Sequence, residues 1–165
     1  MTAAELLIKI RDALVADRDL ALWCYDTYGK RPDVWLDMDE RNPPKSGDYP
    51  LIAILGISQV RGDDKREIAW EVWLGVAIEQ NTVLIEEVAD VLSIELGITH
   101  TITYTGMYEI ETFRELCEDA LYRARIAAAD SDSESVPLND YPLFSSLTTF
   151  TVKTLRSTRR ALPAR

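Results

Sequence analysis

A period of two runs through residues 67–79 and limits the architectures open to this chain. Ile68, Trp70, Val72, Leu74, Val76 and Ile78 take every other position, against Glu67, Ala69, Glu71, Trp73, Gly75, Ala77 and Glu79. Such alternation predicts a strand with one buried face. The preceding run, 49–60, is more uniformly apolar across Leu51-Ile-Ala-Ile-Leu55, as expected of a central strand covered on both sides. Arg61-Gly-Asp-Asp-Lys-Arg66 between the runs carries turn chemistry and charge. Together these segments predict a long β-hairpin. Burying its six large alternating side chains would contribute roughly 10–15 kcal/mol before chain entropy is subtracted. A lone hairpin is marginal in water, so the rest of the chain must cover that face.

The cover is legible as helices. Thr2-Ala-Ala-Glu5 has the spacing of a capping box and opens a helix over 3–16, with Leu6, Leu7, Ile10, Ala13 and Leu14 as its apolar stripe. Residues 20–32 leave the element type open; Leu20, Leu22, Trp23 and Tyr25 ask for burial before Gly29-Lys-Arg-Pro32 breaks the pattern. A short strand is expected over 33–39 and an exposed connection over 40–48. A second helix is expected over 82–96, with Ile85, Val88, Ala89, Leu92 and Leu96 on one side and Gly97 ending it. A strand follows over 99–105, Gly106 breaks the chain, and Thr112-Phe-Arg-Glu115 reads as the capping box of a third helix. Residues 130–140 read as a loop and 142–155 as the last strand. This order predicts one α+β domain over 1–165, a two-layer sandwich of a mostly antiparallel sheet packed by two or three helices, with a flexible tail from about 156.

Composition narrows function by exclusion. Apolar residues make up 47% and charged residues 28% of the chain, which fits a globular domain. No apolar run approaches the length of a membrane span, and the charged first helix does not resemble a secretory signal. A formal charge of −10 argues against a protein that grips nucleic acid by neutralising phosphates. Cys24 and Cys117 lie in apolar sequence and read as buried thiols in a reducing setting. His100, the single histidine, excludes a two-histidine metal site within one subunit and reads as a hydrogen-bonded structural residue on an apolar strand face. Asp37, Asp39 and Glu40 lack the ligand spacing of a cation loop. No phosphate-binding glycine motif is present. No catalytic, cofactor-binding or metal-binding residue is therefore assigned, and the chain reads as a non-enzyme.

What remains points to association. Trp73, with Glu71 and Glu79, lies on the less apolar face of its strand, either tucked under an intramolecular element or shared with a neighbouring subunit. Asp130, Asp132 and Glu134 form an acidic stretch, and Lys153, Arg156, Arg159 and Arg160 a basic one. These are either a solvated loop and frayed tail or complementary surfaces of adjacent subunits. The Ser/Thr-rich last strand is either a plain edge or one that pairs with another chain.

Three pieces carry a resemblance that covers most of the chain. They are the N-terminal amphipathic helix leading to Asp48-Tyr-Pro-Leu-Ile-Ala-Ile54, the alternating Trp70–Ile78 strand followed by Glu86–Leu96, and Tyr141-Pro-Leu-Phe144 before the final strand. In these the chain resembles the bacteriophage tail-terminator (tail-completion, minor tail protein U-like) family. The long helix expected after residue 112 has no clear match there. The resemblance implies a structural protein of a phage or prophage tail, without a catalytic residue. It would form a homo-oligomeric ring, typically a hexamer, that caps the tail tube and meets the head connector. Its partners would be tail-tube and head-connector proteins, and its location the virion tail, after assembly in the host cytoplasm. An acidic lumen would suit the passage of DNA. The alternative reading is a small-molecule- or peptide-binding α+β regulatory module, with a pocket between the third helix and the sheet near His100, Tyr104 and Tyr108.

Overall fold

The computed structural model describes residues 1–60, 67–80, 84–127, 134–140 and 142–155. Helices α1 (Ala3–Ala16) and α2 (Arg18–Tyr28) lead to strand β1 (Asp33–Leu36), then β2 (Leu51–Val60) and β3 (Glu67–Glu79). Next come β4 (Leu84–Val88), the short helix α3 (Val91–Leu96) and β5 (His100–Tyr104). The long helix α4 (Gly106–Arg123) and strands β6 (Glu134–Asp140) and β7 (Leu143–Leu155) complete the chain. The main sheet has five strands in the order β1-β2-β3-β7-β6, antiparallel throughout except for the parallel β1–β2 pair. The fold is α+β, as the element order predicts.

The alternating residues of β3 do what their period demands. Val72, Leu74, Val76 and Ile78 are fully buried beneath the helices, beside Phe144, Phe150 and Val152 of β7. From the helix layer, Leu6, Ile10 and Leu14 of α1 and Ile110, Phe113, Cys117 and Leu121 of α4 meet them. A β-bulge between Ile54 and Gly56 shifts the register of β2, so that Ile52, Ile54 and then Ile57 turn toward this core. The Thr2–Glu5 capping box is present, with the Glu5 amide donating to the Thr2 hydroxyl at 3.2 Å and the Thr2 amide to the Glu5 carboxylate at 2.7 Å.

The segment whose type was open becomes α2. Asp17 caps it, its carboxylate accepting from the Leu20 amide at 2.9 Å and taking both Nε and Nη2 of Arg123 at 3.0 and 2.8 Å. One acid thus joins the α1–α2 corner to the end of α4. Burial alone would raise its pKa, but Arg123 and the Leu20 amide outweigh burial and hold the carboxyl below the usual range. Trp23 stacks on Phe113 with centroids 5.7 Å apart and meets the Tyr28 ring edge-on. The Tyr28 hydroxyl donates to Glu109 at 2.9 Å; burial and that carboxylate push the phenol's pKa up.

Five sequence expectations are corrected. The Ser/Thr-rich last strand is not an edge: β7 lies between β3 and β6 and pairs with both. Residues 82–96 are not one helix: Leu84–Val88 is a strand, and a helix starts only at Val91, where Asp90 caps the Ser93 amide at 2.7 Å. Gly106 does not break the chain but opens α4, six residues before the expected cap at Thr112. A β-carbon at Gly106 would lie 2.3 Å from the Phe144 ring, so close helix–sheet packing requires the glycine. Thr112, inside that helix, turns its hydroxyl back to the Tyr108 carbonyl at 3.0 Å. Within the expected 130–140 loop, Glu134–Asp140 is an edge strand, because β7 offers it a complete ladder. His100 is not on a buried face; among the described residues β5 pairs only with β4, in a separate two-stranded sheet, and the imidazole is exposed.

Candidate assembly surfaces

Among the described residues, no α-helix packs on the sheet's second face. Leu51 and Ala53 of β2, Trp73, Gly75 and Ala77 of β3, and Ser145, Leu147 and Thr149 of β7 share it by register, and the bulge residue Leu55 joins them over Gly75. Large side chains here lie over glycines on the neighbouring strand. A β-carbon at Gly56 would be 3.0 Å from the Trp73 ring, and one at Gly75 would be 3.0 Å from the Leu55 side chain. Trp73 is therefore held flat and half-buried, outside the helix-packed core.

Residues 37–50, the crossover between parallel strands β1 and β2, fold across one end of this face. The Ser46 hydroxyl donates to the Glu79 carboxylate, and Lys30 reaches the Gly47 carbonyl at 2.8 Å. Leu51 and Ala53 are buried beneath this cover, which accounts for the unbroken apolar run in the sequence. Between cover and sheet a groove of about 310 Å³ remains. Met38, Pro44 and Tyr49 form its upper wall, Leu55, Gly75 and Ala77 its floor, and Leu147 and Leu138 its far side. Burial, followed by the Glu79 and Asp48 carboxylates, raises the pKa of the Tyr49 phenol.

The second surface is the arm, β4-α3-β5. Neither its strands nor its helix makes more than slight contact with any element of the main body. Ile85, Val91, Leu92, Ile94, Leu96 and Ile98 are 59–74% exposed along it. Within it the β4–β5 ladder is joined by the Tyr104 hydroxyl, which donates to Glu86 at 3.0 Å, and the Tyr104 ring meets Tyr108 of α4 edge-on at 5.2 Å. The Ser93 amide and hydroxyl hold the Asp90 carboxyl below its usual range. Sequence reading missed this arm because its apolar residues mimic a buried helical stripe. The Asp90–Ser93 spacing was the one local sign that a helix starts late.

The residues singled out in the sequence fall in separate places. Trp73, Glu71 and Lys153 lie toward one end of the helix-free face, and Glu134 joins that row by backbone register, since Thr149 pairs with both Trp73 and Glu134. Glu79 lies at the other end, eight residues or about 27 Å along β3 from Glu71. Asp130, Asp132, Arg156, Arg159 and Arg160 lie outside the described residues, as does the expected flexible tail. Asp39 is taken up by Arg41 at 2.9 Å and Asp37 by the Met38 amide at 2.7 Å. No group of three potential metal ligands occurs among the described residues. The α4–sheet interface near Tyr104 and Tyr108 is filled by Ile110, Phe113 and Cys117, and both tyrosines lie beside it. The two thiols are free and buried; burial pushes Cys24 up to about 12 and Cys117 well above its ordinary value, so neither is a thiolate nucleophile. No helix among the described residues is long and apolar enough to cross a membrane. No family model matches the chain, and no curated protein matches its sequence.

Proposed function

We propose that this chain is a structural subunit that assembles with copies of itself into a ring, of the kind that caps a phage tail tube and meets the head connector. The apolar arm carries this reading. A two-stranded sheet with a one-turn helix is marginal alone, and six exposed aliphatic side chains on it ask for a protein surface. The tail setting rests on the sequence resemblance. The charge of −10 is consistent with it, because an acidic conduit repels the backbone of passing DNA.

Light scattering coupled to size exclusion, across protein concentration and salt and with purified tail tubes added, tests the reading. The expected result is a closed oligomer, free or bound to tube ends. A monomer under every condition, tubes included, overturns it.

The groove on the helix-free face favours a second reading, a module for small apolar ligands or peptides, since about 310 Å³ lies at the lower end of ligand-pocket sizes. A ligand screen read by melting temperature separates the two. A ligand that raises the melting temperature of a permanent monomer would favour this module.

A further inference from the structure

The arm and the groove are different surfaces on opposite kinds of structure, one convex and detached, the other concave and framed by the sheet. No residue of the arm lines the groove of its own chain. We propose that the arm of one copy seats in the groove of the next, with Val91 and Ile94 entering between Tyr49, Leu55 and Leu138. This inference rests on the ring reading and names the contact that closes it.

Three observations argue for a second copy as the occupant. The first is area. At about 25 cal/mol per Å², fully burying an aliphatic side chain corresponds to roughly 60–120 Å², so six that are 59–74% exposed offer on the order of 400 Å². An apolar patch of that size marks a surface for another protein. The second is volume. A cavity of about 150 Å³ accommodates benzene, so one of about 310 Å³ has room for two branched aliphatic side chains. Val91 and Ile94 are the two most exposed aliphatics of the arm and stand three residues apart, hence on one side of α3.

The third is symmetry. An arm meeting an arm is isologous and stops at a dimer, with the groove left open. An arm meeting a groove is heterologous, and repetition of that contact closes a ring or runs into a filament. The contact is apolar and not ionic: the arm carries Glu86, Glu87, Asp90 and Glu95, and the crossover beside the groove has Asp37, Asp39, Glu40 and Asp48 against Arg41 and Lys45. Screening these acids favours association, so the test is made near 0.3 M salt, where the Debye length is about 5–6 Å.

The experiment is subunit complementation. The arm variant is Val91→Asp/Ile94→Asp. Two groove variants are used: Leu138→Lys at a site 58% exposed, which leaves the fold intact, and Ala77→Leu, which fills the floor. Circular dichroism and melting confirm that each is folded. Each variant alone is expected to be monomeric at concentrations tenfold above those at which the unaltered chain assembles. Mixed one to one, arm variant and Leu138→Lys variant are expected to form a heterodimer and nothing larger, because only one intact arm faces one intact groove. Groove variants that assemble like the unaltered chain, or a mixture that stays monomeric, overturn the arm-in-groove contact while leaving the ring reading standing. An unaltered chain that never assembles overturns both.

Discussion

The main body and the arm draw on the same aliphatic residues and place them oppositely. In the body, Leu6, Ile10, Val72, Leu74 and Ile110 lose nearly all contact with water between two layers. In the arm, Ile85, Leu92 and Ile94 keep most of theirs, because a two-stranded sheet has one layer and no described element closes over it. The difference teaches that hydrophobic content does not decide burial; the number of layers does. A body that buries its apolar residues is finished as a monomer. An arm that cannot do so leaves apolar surface for a partner, and the proposed assembly would cover it.

The two tryptophans of β3 give the sharpest test of that contrast. Trp70 is 7% exposed under the helices and donates its indole N–H to the Thr154 hydroxyl at 2.9 Å. Trp70→Ala should cost roughly 3–5 kcal/mol in urea unfolding, as a large-to-small core change. Trp73 lies over Gly56 on the opposite face and is half-buried. Trp73→Ala should cost about 1–2 kcal/mol, in keeping with its smaller buried area. Equal penalties would mean that both faces of the sheet are core, and the comparison of layers would fail.

Next in size is the close contact that joins the layers. With Gly106 packed on Phe144, Gly106→Ala forces a methyl to within 2.3 Å of a buried ring, and overpacking of this kind costs about 1–3 kcal/mol. The helix-propensity gain from alanine, about 1 kcal/mol, works in the opposite direction but is lower at the first helical position. A melting temperature that rises in Gly106→Ala would show that the ring moves aside freely.

Gly106 also illustrates what the sequence could and could not reveal. Features set by neighbours three or four residues apart were legible: the Thr2–Glu5 box, the α1 stripe and the period of β3 all appear where their pattern puts them. Features set by distant partners were not. A glycine needed for contact with Phe144, thirty-eight residues later, looks the same as one that breaks a helix. Residues 134–140 carry Pro137 and three acids or amides, a loop composition, and are a strand because β7 supplies the ladder. The arm's Ile85, Val88, Leu92 and Leu96 fit a helical period with no helix behind it, since spacing cannot report that a strand partner waits at His100–Tyr104. Of the candidate surfaces, Trp73 was legible from its place on the less apolar face of the alternation. The groove was not, because it exists only once residues 37–50 cross the sheet.

A smaller effect comes from the corner that fastens the helix layer. Asp17→Asn keeps an oxygen for the Leu20 amide but gives up the paired bonds to Arg123, whereas Asp17→Ala loses both. Loss of an N-cap costs about 0.5–2 kcal/mol, and the pair adds little because Arg123 is 41% exposed. Asp17→Ala is therefore expected to lose about 1–2 kcal/mol at neutral pH. The folded carboxyl titrates below the unfolded one, so its stabilising contribution is complete above the ordinary carboxylate range, about pH 4, and disappears as pH falls through the folded value. The gap between the unaltered chain and Asp17→Ala should thus narrow in acid. A gap that stays constant down to pH 2 would locate the stabilisation in something other than the ionised carboxylate.

The smallest expected change in stability is in the arm itself, and there the size of the effect is the point. Ile94→Ala removes most of a side chain that is 71% exposed, so unfolding of the monomer at low concentration should shift by less than about 0.5 kcal/mol. The same substitution made on an assembled chain removes buried surface from every repeated contact. Its melting temperature should then fall with dilution more steeply than that of the unaltered chain, since association stabilises by mass action. If Ile94→Ala instead destabilises the dilute monomer by 2 kcal/mol or more, the arm folds against its own body in solution, and layer count no longer separates the two regions.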